Sequence, residues 1–358
     1  MDKFGERIIS WYTKNKRELP WRSGCDPYEI WLSEIILQQT RVDQGLAYYL
    51  RFVDRFPDIF SLADASGDEV FKLWQGLGYY NRAANMLIAA KTIVEEYSGV
   101  FPQDPKELIK IKGIGSYTSA AIASLAFGVS IPVVDGNVYR VLSRIFGIKT
   151  PINTANGKKE FENKAAELIK GYPPGTFNQA VMEFGALYCK PKNPNCETCI
   201  FKMKCYAHKN KSVSELPVKK QKIGVTNRYL YYFLVEITEN GFPGIFIKKR
   251  TAKDIWKNLY DFPLIESKKS IDPLDAIVKF VSEYHLLYSG FSVRSISEIY
   301  HHQLTHQKIH AQFIRLIVDK KMIMNSDNSL LLIKIKDLID YPVSRLIDRY
   351  IRENNIIK

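Results

Sequence analysis

The sequence predicts two domains of different classes, a mainly α-helical domain over residues 1–206 and an α+β domain over residues 229–358. Three observations support this division. Apolar side chains recur at helical spacing through the first 200 residues. Four of the five cysteines cluster where that half ends, and beyond Cys205 come runs rich in β-branched and aromatic residues, which favour strands. The 358 residues are also too many for one ordinary domain.

The helical half divides into apolar runs at helical spacing, separated by turn residues. The runs are FGERIISWYTK, YEIWLSEIILQQT, DEVFKLWQGL, RAANMLIAAKTIVEEY and SYTSAAIASLAF. Asp104 and Pro105 together predict a helix start, and Ser61 and Asp64 are candidate caps of short helices. The segment 207–228 carries six Lys/Arg and one Glu, so it is predicted to be a basic linker that can follow a phosphate backbone.

The second half mixes both kinds of pattern. Strand-like runs are YLYYFLVEIT, GIFIKKR and HAQFIRLIVD, and helical runs are DPLDAIVKFVSEYHLL and KDLIDYPVSRLIDRYI. This alternation predicts an α+β domain.

Composition and charge limit the classes of protein and partner that are possible. The chain is 46% hydrophobic and 25% charged, which excludes general disorder, collagen and coiled coil. Its net charge of +13 indicates an anionic partner such as nucleic acid. The N-terminus lacks the apolar core of a secretory signal, and the uncharged stretch 113–134 holds a proline and many hydroxyls, which is poor membrane composition. We therefore expect a cytoplasmic protein with no membrane partner.

The cysteine cluster has the spacing C-x6-C-x2-C-x5-C. Its members are Cys189, Cys196, Cys199 and Cys205, whereas Cys25 lies far away. Clustered cysteines in a chain without a secretory signal favour metal ligation over disulfides. Zinc ribbons usually use two short Cys-x-x-Cys pairs and this cluster has one, so an iron–sulfur centre is favoured and structural zinc is the alternative.

A Gly-x-Gly turn and an aspartate follow one another in the middle of the helical half. Gly113 and Gly115 lie in IKGIGSYT, between two helical stretches, where the backbone and the next helix N-terminus can approach a phosphate. Asp135, in IPVVDGNV, suits the N-cap of the helix that follows.

One carboxyl lies inside an apolar helix. Glu34 is flanked by Trp31, Leu32, Ile35 and Ile36 in WLSEIILQQT. Desolvation raises the pKa of a carboxyl, which suits a general acid at neutral pH.

These motifs together carry a resemblance. The cysteine spacing is similar to the [4Fe–4S] loop of the endonuclease III superfamily, and the hairpin with IPVVDGN resembles its helix-hairpin-helix–Gly/Pro–Asp signature. WLSEIILQQT, LPWR and GLGYY resemble the MutY adenine DNA glycosylases, over nearly all of residues 1–206. The resemblance implies a [4Fe–4S] cluster that braces a basic loop against DNA rather than reacting.

The resemblance also implies roles for single residues. Glu34 would protonate adenine at N7, and Asp135 would stabilise or briefly capture the sugar cation before water completes hydrolysis. Residues matching the supporting groups of this chemistry are Tyr117 and Asn137. Residues matching the adenine pocket are Trp21, Arg22 and Glu183. Residues matching the group that enters the base stack and holds the lesion strand are Gln39, Thr40, Leu77 and Tyr79.

The implied partner is double-stranded DNA with adenine opposite 8-oxoguanine or guanine, bound by a monomer that flips the adenine out of the stack. The lyase branch of the superfamily carries a lysine nucleophile at the position of Tyr117, so we expect a monofunctional glycosylase, with Lys112 as a phosphate contact. The alternatives are an endonuclease III-like glycosylase/lyase and a catalytically silent mismatch-binding protein.

The second half resembles Nudix-like domains in the segment WKNLYDFP. The helix DPLDAIVKFVSEYHLL lacks the Arg-Glu-x-x-Glu-Glu cluster of Nudix hydrolases, so pyrophosphatase activity is not expected. In the MutY family this domain reads 8-oxoguanine, and the residues matched to its reading loop are Thr305 and His306, after a Leu304 that replaces an aromatic residue. A competing and less favoured interpretation is a metal site formed by His301, His302, His306 and His310.

Overall fold

A computed structural model describes residues 3–220, 224–239, 242–284, 291–304, 306–318 and 330–357. The chain forms two compact units. The first comprises Met1–Asp64 and Asn85–Lys222, and the second comprises Ala65–Ala84 and Ile223–Lys358. Within the described ranges, no helix is both long and apolar enough to cross a membrane.

Twelve helices precede the first strand in the described part of the chain. They are α1 Phe4–Asn15, α2 Pro27–Leu37, α3 Val42–Arg55, α4 Ile59–Asp64, α5 Gly67–Trp74, α6 Asn81–Tyr97, α7 Pro105–Leu108, α8 Ser116–Ala126, α9 Gly136–Phe146, α10 Ala155–Leu168, α11 Pro174–Leu187 and α12 Tyr206–Lys209. A 3-10 turn at Pro20–Arg22 lies between α1 and α2. Each apolar run singled out above overlaps one of these helices, although YEIWLSEIILQQT and DEVFKLWQGL continue three residues past the ends of α2 and α5. The helix α5 and the first residues of α6 belong to the second unit.

For the short helices, the structure confirms the predicted cap at Asp104 and shows that the two candidates in α4 are not caps. Asp104 caps α7 by accepting a hydrogen bond from the Lys106 amide. Ser61 and Asp64 are not caps, because both lie inside α4; Asp58 accepts from the Ser61 amide at 2.8 Å, and Ser66 caps α5. A capping side chain must precede the first turn to reach its free N–H groups, which Asp58 and Ser66 do.

Aromatic side chains fill the core between α1, α9 and α11 in the first unit. Phe4 stacks on Phe201 with ring centroids 5.0 Å apart, and Phe184 meets Phe201 edge-on at 5.5 Å. The helix α8 packs on α2 and α11 and contributes small residues, Ala120 and Ala121, beside Val133. Small residues let helices approach closely, so α2, α8 and α11 enclose one side of the first unit.

The second unit is built on an eight-stranded mixed sheet. Its strands are β1 Thr226–Glu239, β2 Phe242–Lys249, β3 Tyr260–Asp261, β4 Leu264–Ser267, β5 Phe291–Ile296, β6 Tyr300–Gln303, β7 Gln307–Val318 and β8 Leu330–Lys334. The order is β3-β2-β1-β7-β5, with β4 paired to β1, β6 to β7 and β8 to β2. The strands β1 and β7 pair in parallel from Thr226↔Gln307 to Ile237↔Val318, and the other pairs are antiparallel.

Two helices cover opposite faces of this sheet: α13 Pro273–Glu283 and α14 Arg345–Glu353. Phe280 of α13 stacks on Phe233 at 3.9 Å, and Tyr350 of α14 stacks on Phe313 at 3.8 Å. A strand covered on both faces needs a continuous apolar run rather than alternation, which explains YLYYFLVEIT. The run KDLIDYPVSRLIDRYI is not one helix: a 3-10 helix, Ile335–Asp340, precedes α14, and the break falls at Pro342, which has no N–H to continue a helix.

Candidate active site

One cavity of about 720 Å³ lies in the first unit, between α2, α8, α9, α11 and the 3-10 turn. Its volume falls in the range of small-molecule sites, about 300–1,000 Å³. Many of the residues singled out from the sequence line it: Trp21, Arg22, Glu34, Gln39, Thr40, Gly113, Gly115, Tyr117, Asp135, Asn137 and Glu183. Residues distant in sequence are therefore brought to one concave surface.

Glu34 is carried by α2 and opens onto the cavity from an otherwise buried stretch. The helix begins after Asp26, whose side chain accepts from the Tyr28 amide at 2.8 Å. Burial raises the pKa of Glu34 from 4.5 to about 7, and the charge of Asp135 adds to this; a hydrogen bond from Tyr117 acts in the opposite direction. At neutral pH the Glu34 carboxyl is poised between its protonated and ionised forms, as a general acid requires.

Asp135 caps α9 and faces the same cavity. Its Oδ1 accepts from the amides of Asn137 at 2.9 Å and Val138 at 2.8 Å, and its Oδ2 accepts from Nδ2 of Asn137 at 2.7 Å. Burial raises its pKa, although these hydrogen bonds favour the ionised form. The N-cap interpretation is thus confirmed, and the same carboxylate is available to a positive charge in the cavity.

A buried amide that the sequence analysis missed fixes the segment leading to Asp135. Asn178, on α11 and 2% exposed, donates from Nδ2 to the Ile131 carbonyl and to Ser124 Oγ, both at 2.9 Å. Its Oδ1 accepts from the Val133 amide at 3.0 Å. These contacts join residues 45 to 54 positions apart, so no local pattern could have indicated them.

Glu183 is held at the cavity wall by two arginines. Its carboxylate accepts from Nε and Nη2 of Arg17 at 2.9 and 2.7 Å, and from Nη2 of Arg22 at 2.9 Å. Although burial opposes ionisation, these guanidinium groups bring the pKa of Glu183 down to about 2. The sequence analysis also missed Arg17. It lies two residues before LPWR, where an arginine looks like an ordinary surface charge.

Tyr117 projects from the first turn of α8. Its phenol hydrogen-bonds Glu34 and lies 3.7 Å from the Met182 sulfur. No lysine is found among the described residues that line the cavity, and Lys112 is exposed outside it.

The glycine turn brings the backbone close to a neighbouring helix. Gly113 has φ +83°, and a Cβ at this position would lie 2.7 Å from the Cβ of Asn85. Only glycine fits both constraints. Gly115 is exposed and precedes α8, which has no side-chain cap at its N-terminus. The N-terminus of a helix can bind an anion through its free amides.

Two of the predicted lesion-strand residues have left-handed backbones. Gln39, just past the end of α2, has φ +58°, and Tyr79 has φ +50°. Side chains of this size rarely adopt such angles, and strained positions concentrate at functional sites. Tyr79 is 51% exposed, whereas Leu77 is only 7% exposed and Thr40 is partly buried.

The four clustered cysteines line a second, smaller cavity of the first unit, and all four are free thiols. A buried cation faces them: Arg144, on α9, lies with Nη1 3.5 Å from the Cys189 sulfur and donates to the Lys190 and Pro191 carbonyls at 2.7 and 3.1 Å. Cys205 in turn lies with its sulfur 3.3 Å from the Arg144 carbonyl oxygen. The sequence analysis did not identify Arg144.

This donor set fits an iron–sulfur cluster. Four thiols on one cavity match cluster ligation, and a nearby guanidinium offsets the negative charge of thiolates. In the described part of the chain, no three His, Cys, Asp or Glu side chains converge closely enough to hold a single ion.

Arg140 connects the two cavities. Its Nη2 donates to Oδ1 of Asn137 at 2.7 Å, and its Nε donates to the Cys189 carbonyl at 2.7 Å. Arg140 therefore links the side-chain amide of Asn137, which holds Asp135, directly to the cysteine loop.

The candidate residues of the second unit are placed only in part. Thr305 lies outside the described residues. His306 is exposed, and its carbonyl accepts from the Thr226 amide at 3.0 Å. His301 and His310 meet edge-on across β6 and β7 at 4.9 Å, while His302 lies beside Trp256. No group of three metal-binding side chains forms among these histidines as far as the structure describes them.

Comparison with known proteins first defines the class. The model of the HhH-GPD superfamily of base excision DNA repair proteins matches residues 32–170, and that of the NUDIX domain matches residues 232–353. A thermostable thymine-DNA glycosylase is similar over 58% of this chain and 95% of its own, with TM-score 0.54 and 30% identity. Endonuclease III trapped covalently on DNA covers 58% of this chain and 94% of its own, with TM-score 0.51 and 22% identity, which shows the fold. The predicted fold class is confirmed.

The particular family follows from a relative that spans nearly the whole chain. The adenine DNA glycosylase of Buchnera aphidicola subsp. Schizaphis graminum is 36% identical over 332 residues, which is 91% of this chain and 90% of the relative. The chain belongs to the MutY family of adenine DNA glycosylases, enzymes of base excision repair.

Proposed function

We propose that this glycosylase hydrolyses the N-glycosidic bond of adenine mispaired with 8-oxoguanine or guanine, without lyase activity. The observation that carries the proposal is the pair of carboxyls, Glu34 and Asp135, on one cavity, with the pKa of Glu34 raised to about 7 by burial. Two carboxyls with separate tasks on one glycosidic bond are the general requirement of such chemistry.

The chemistry divides between these two groups. Protonated Glu34 donates its proton to N7 of adenine, so that the base leaves as a neutral molecule when the bond from C1′ to N9 breaks. The sugar becomes an oxocarbenium ion, which ionised Asp135 stabilises or briefly captures. Water then adds to C1′ and gives its proton to the Glu34 carboxylate, which leaves an abasic site and restores the acid. Asn137 holds Oδ2 of Asp135 in place.

Adenine recognition is assigned to the wall formed by Trp21, Arg22 and Glu183. Trp21 packs edge-on against Tyr49 at 4.9 Å, which fixes its ring. Because Arg17 and Arg22 keep Glu183 ionised, its carboxylate can accept a hydrogen bond from the exocyclic amine of adenine. A stacked adenine cannot reach this cavity, so the base must be flipped.

DNA contacts are assigned to the rim of the cavity and to the second unit. Gly113 and Gly115 offer backbone amides to a phosphate, and Gln39, Thr40, Leu77 and Tyr79 are assigned to the lesion strand. Of these four, Tyr79 is the exposed aromatic; Leu77 has to leave its buried position to enter the stack. Reading of 8-oxoguanine is assigned to Thr305 and His306. We also propose that the enzyme acts in the cytoplasm, on nucleoid DNA in the case of a bacterial source.

The monofunctional assignment rests on Tyr117. A lyase needs an amine that forms a Schiff base with the sugar, and a phenol cannot do this. The absence of lysine among the described lining residues supports the same conclusion.

We further assign a [4Fe–4S] cluster to Cys189, Cys196, Cys199 and Cys205. When bound, such a cluster supplies covalent bracing of the loop that carries its four thiolates. The chain contributes the cation of Arg144 and the exposed lysines of the loop, among them Lys190, Lys192 and Lys204, which suit a DNA backbone. A purified chain with broad brown absorbance and iron is expected; zinc without colour would contradict this assignment.

The test is single-turnover cleavage of a duplex with one 8-oxoguanine:adenine pair, developed with and without hot alkali. Cleavage of the adenine strand only after alkali, lost in Glu34→Gln, is the expected result. Cleavage without alkali would establish lyase activity and overturn the monofunctional assignment. Tight lesion-selective binding without product would instead establish a silent mismatch-binding protein.

A further inference from the structure

The turn that carries Leu77 and Tyr79 groups structurally with the β-sheet unit. Residues Ala65–Ala84 pack into the second unit, although in sequence they lie in the middle of the helical half. The segment consists of α5, the turn at residues 76–80 and the start of α6.

Side chains at both ends of α5 make the attachment. At its N-terminus, Asp68 accepts from Nζ of Lys249 at 2.6 Å and from the Tyr260 hydroxyl at 2.9 Å. Just past its C-terminus, Gln75 donates to Oδ1 of Asp348 at 3.0 Å and accepts from the Val343 amide at 3.4 Å. The strand β2 and the start of α14 are thus joined to one short helix.

The turn after α5 is then closed on itself. Its carbonyl at Gly78 accepts from the indole N–H of Trp74 at 3.0 Å and from Nη2 of Arg82 at 3.1 Å. The Tyr80 hydroxyl donates to the Val343 carbonyl at 3.4 Å and accepts from the Gly76 amide at 3.2 Å. These contacts leave Tyr79 with φ +50° and half of its side chain exposed.

We propose that Asp68 and Gln75 are positioning residues for the lesion strand, which hold the turn at residues 76–80 in the form that presents Tyr79 to DNA. The inference rests on the proposed function, because it takes Tyr79 to be a DNA contact. A tyrosine does not keep a left-handed backbone unless its surroundings fix it. Asp68 contacts Lys249 and Tyr260 of the sheet. Gln75 contacts Asp348 and Val343, in addition to Lys72 of α5 itself. The elements around the sheet therefore fix the position of α5 and of the turn that follows it.

The test reverses the charges of the Asp68–Lys249 pair in the full chain. The variants are Asp68→Lys, Lys249→Asp and the double swap, and each is also combined with Tyr79→Ala. The control is Lys164→Met, which removes a comparable surface ion pair, that of Lys164 with Glu167 at 3.0 Å. The probe is a duplex with one 8-oxoguanine:adenine pair and 2-aminopurine next to 8-oxoguanine in the same strand. Its fluorescence rises when the stack is opened, and the same titration gives Kd.

Asp68→Lys is expected to reduce the fluorescence rise and to raise Kd about threefold to tenfold, the scale of losing a surface pair and adding repulsion. The excision rate at saturating enzyme should change less than Kd, since a loss of binding common to the ground and transition states moves affinity only. The double swap should restore both binding readouts. In the Tyr79→Ala background Asp68→Lys should add nothing, because the group it positions is gone.

The positioning role would be overturned by a double swap that restores neither binding readout, or by an Asp68→Lys loss of the same size with and without Tyr79. An unchanged fluorescence rise and Kd in Asp68→Lys would also overturn it. Tyr79→Ala with unaltered fluorescence and affinity would refute the DNA contact of the proposed function itself, and the positioning role would fall with it.

Discussion

Replacing Glu34 with glutamine should abolish excision and at the same time stabilise the folded protein. The glutamate opens onto a cavity in which burial raises its pKa from 4.5 to about 7. The unfolded chain therefore loses its proton at a lower pH than the native chain does. As pH rises from the pKa of the unfolded chain to that of the native chain, the unfolded state ionises first and the free energy of unfolding falls. An ionisable side chain at this position therefore lowers the stability of the native protein.

The size of the effect follows from the two pKa values. At pH 8, well above both, the penalty is about 3 kcal/mol, and at pH 5 it is about 1 kcal/mol. It vanishes below pH 4, where both states are protonated. Glutamine cannot ionise and keeps an oxygen for the Tyr117 hydroxyl, so Glu34→Gln should remove the penalty with little change in packing.

The assay is urea unfolding of the full chain, followed by far-ultraviolet circular dichroism, at pH 5 and pH 8. Glu183→Gln is the matched control of opposite sign, because two arginines lower the pKa of Glu183 to about 2. Its stabilising contribution is present above the unfolded value and is lost as pH falls towards 2. Removing it leaves Arg17 and Arg22 unpaired and should cost about 3–5 kcal/mol at pH 8.

One outcome would refute the reasoning. If the stability gained in Glu34→Gln were the same at pH 5 and pH 8, Glu34 would ionise normally in the free protein, and a general acid poised by burial could not be maintained.

Three further predictions concern the same unit. The single-turnover rate of excision should fall about tenfold from pH 6 to pH 8, as Glu34 loses its proton. Tyr117→Phe removes a hydrogen bond to the ionised form of Glu34 and should move this fall in rate to higher pH. A fall at the same pH would contradict that contact. Asn178→Ala leaves buried polar groups without hydrogen-bond partners and should lower the free energy of unfolding by about 1–3 kcal/mol. It should also slow excision, because the segment before Asp135 loses its anchor. Urea unfolding checks the first effect, and single-turnover rates at equal folded fraction check the second. Arg144→Met removes the cation beside the thiols and should lower the iron content and brown absorbance per chain, so full iron occupancy would argue against its role.

The sequence predicts groups whose chemistry is visible in a local pattern. Glu34 is marked by apolar flanks, Asp135 by the glycine that follows it, and the cysteines by their spacing. The longest of these signals, the cysteine spacing, extends over only 17 residues, and each of these groups lines a cavity of the structure.

What the sequence does not reveal depends on contacts between distant segments. Arg17 matters because its partner is Glu183, 166 residues away. Asn178 matters because it meets the chain at Ile131 and Val133, and Arg144 because the cysteine loop folds over it. Before folding, an arginine or an asparagine in an amphipathic helix looks like any other polar residue.

The attachment of residues 65–84 to the sheet unit also has a consequence for the making of the protein on the ribosome. Gln75 is synthesised early, yet its partner Asp348 follows 273 residues later. Chains emerge N-terminus first and domains fold as they become complete. The helical unit therefore has its own sequence by residue 222, whereas the turn with Tyr79 depends on Asp348 of α14. Under the proposed function, a nascent chain at that stage carries both carboxyls of the cavity before the turn assigned to the lesion strand is fixed, so we expect DNA engagement through Tyr79 to require synthesis of α14.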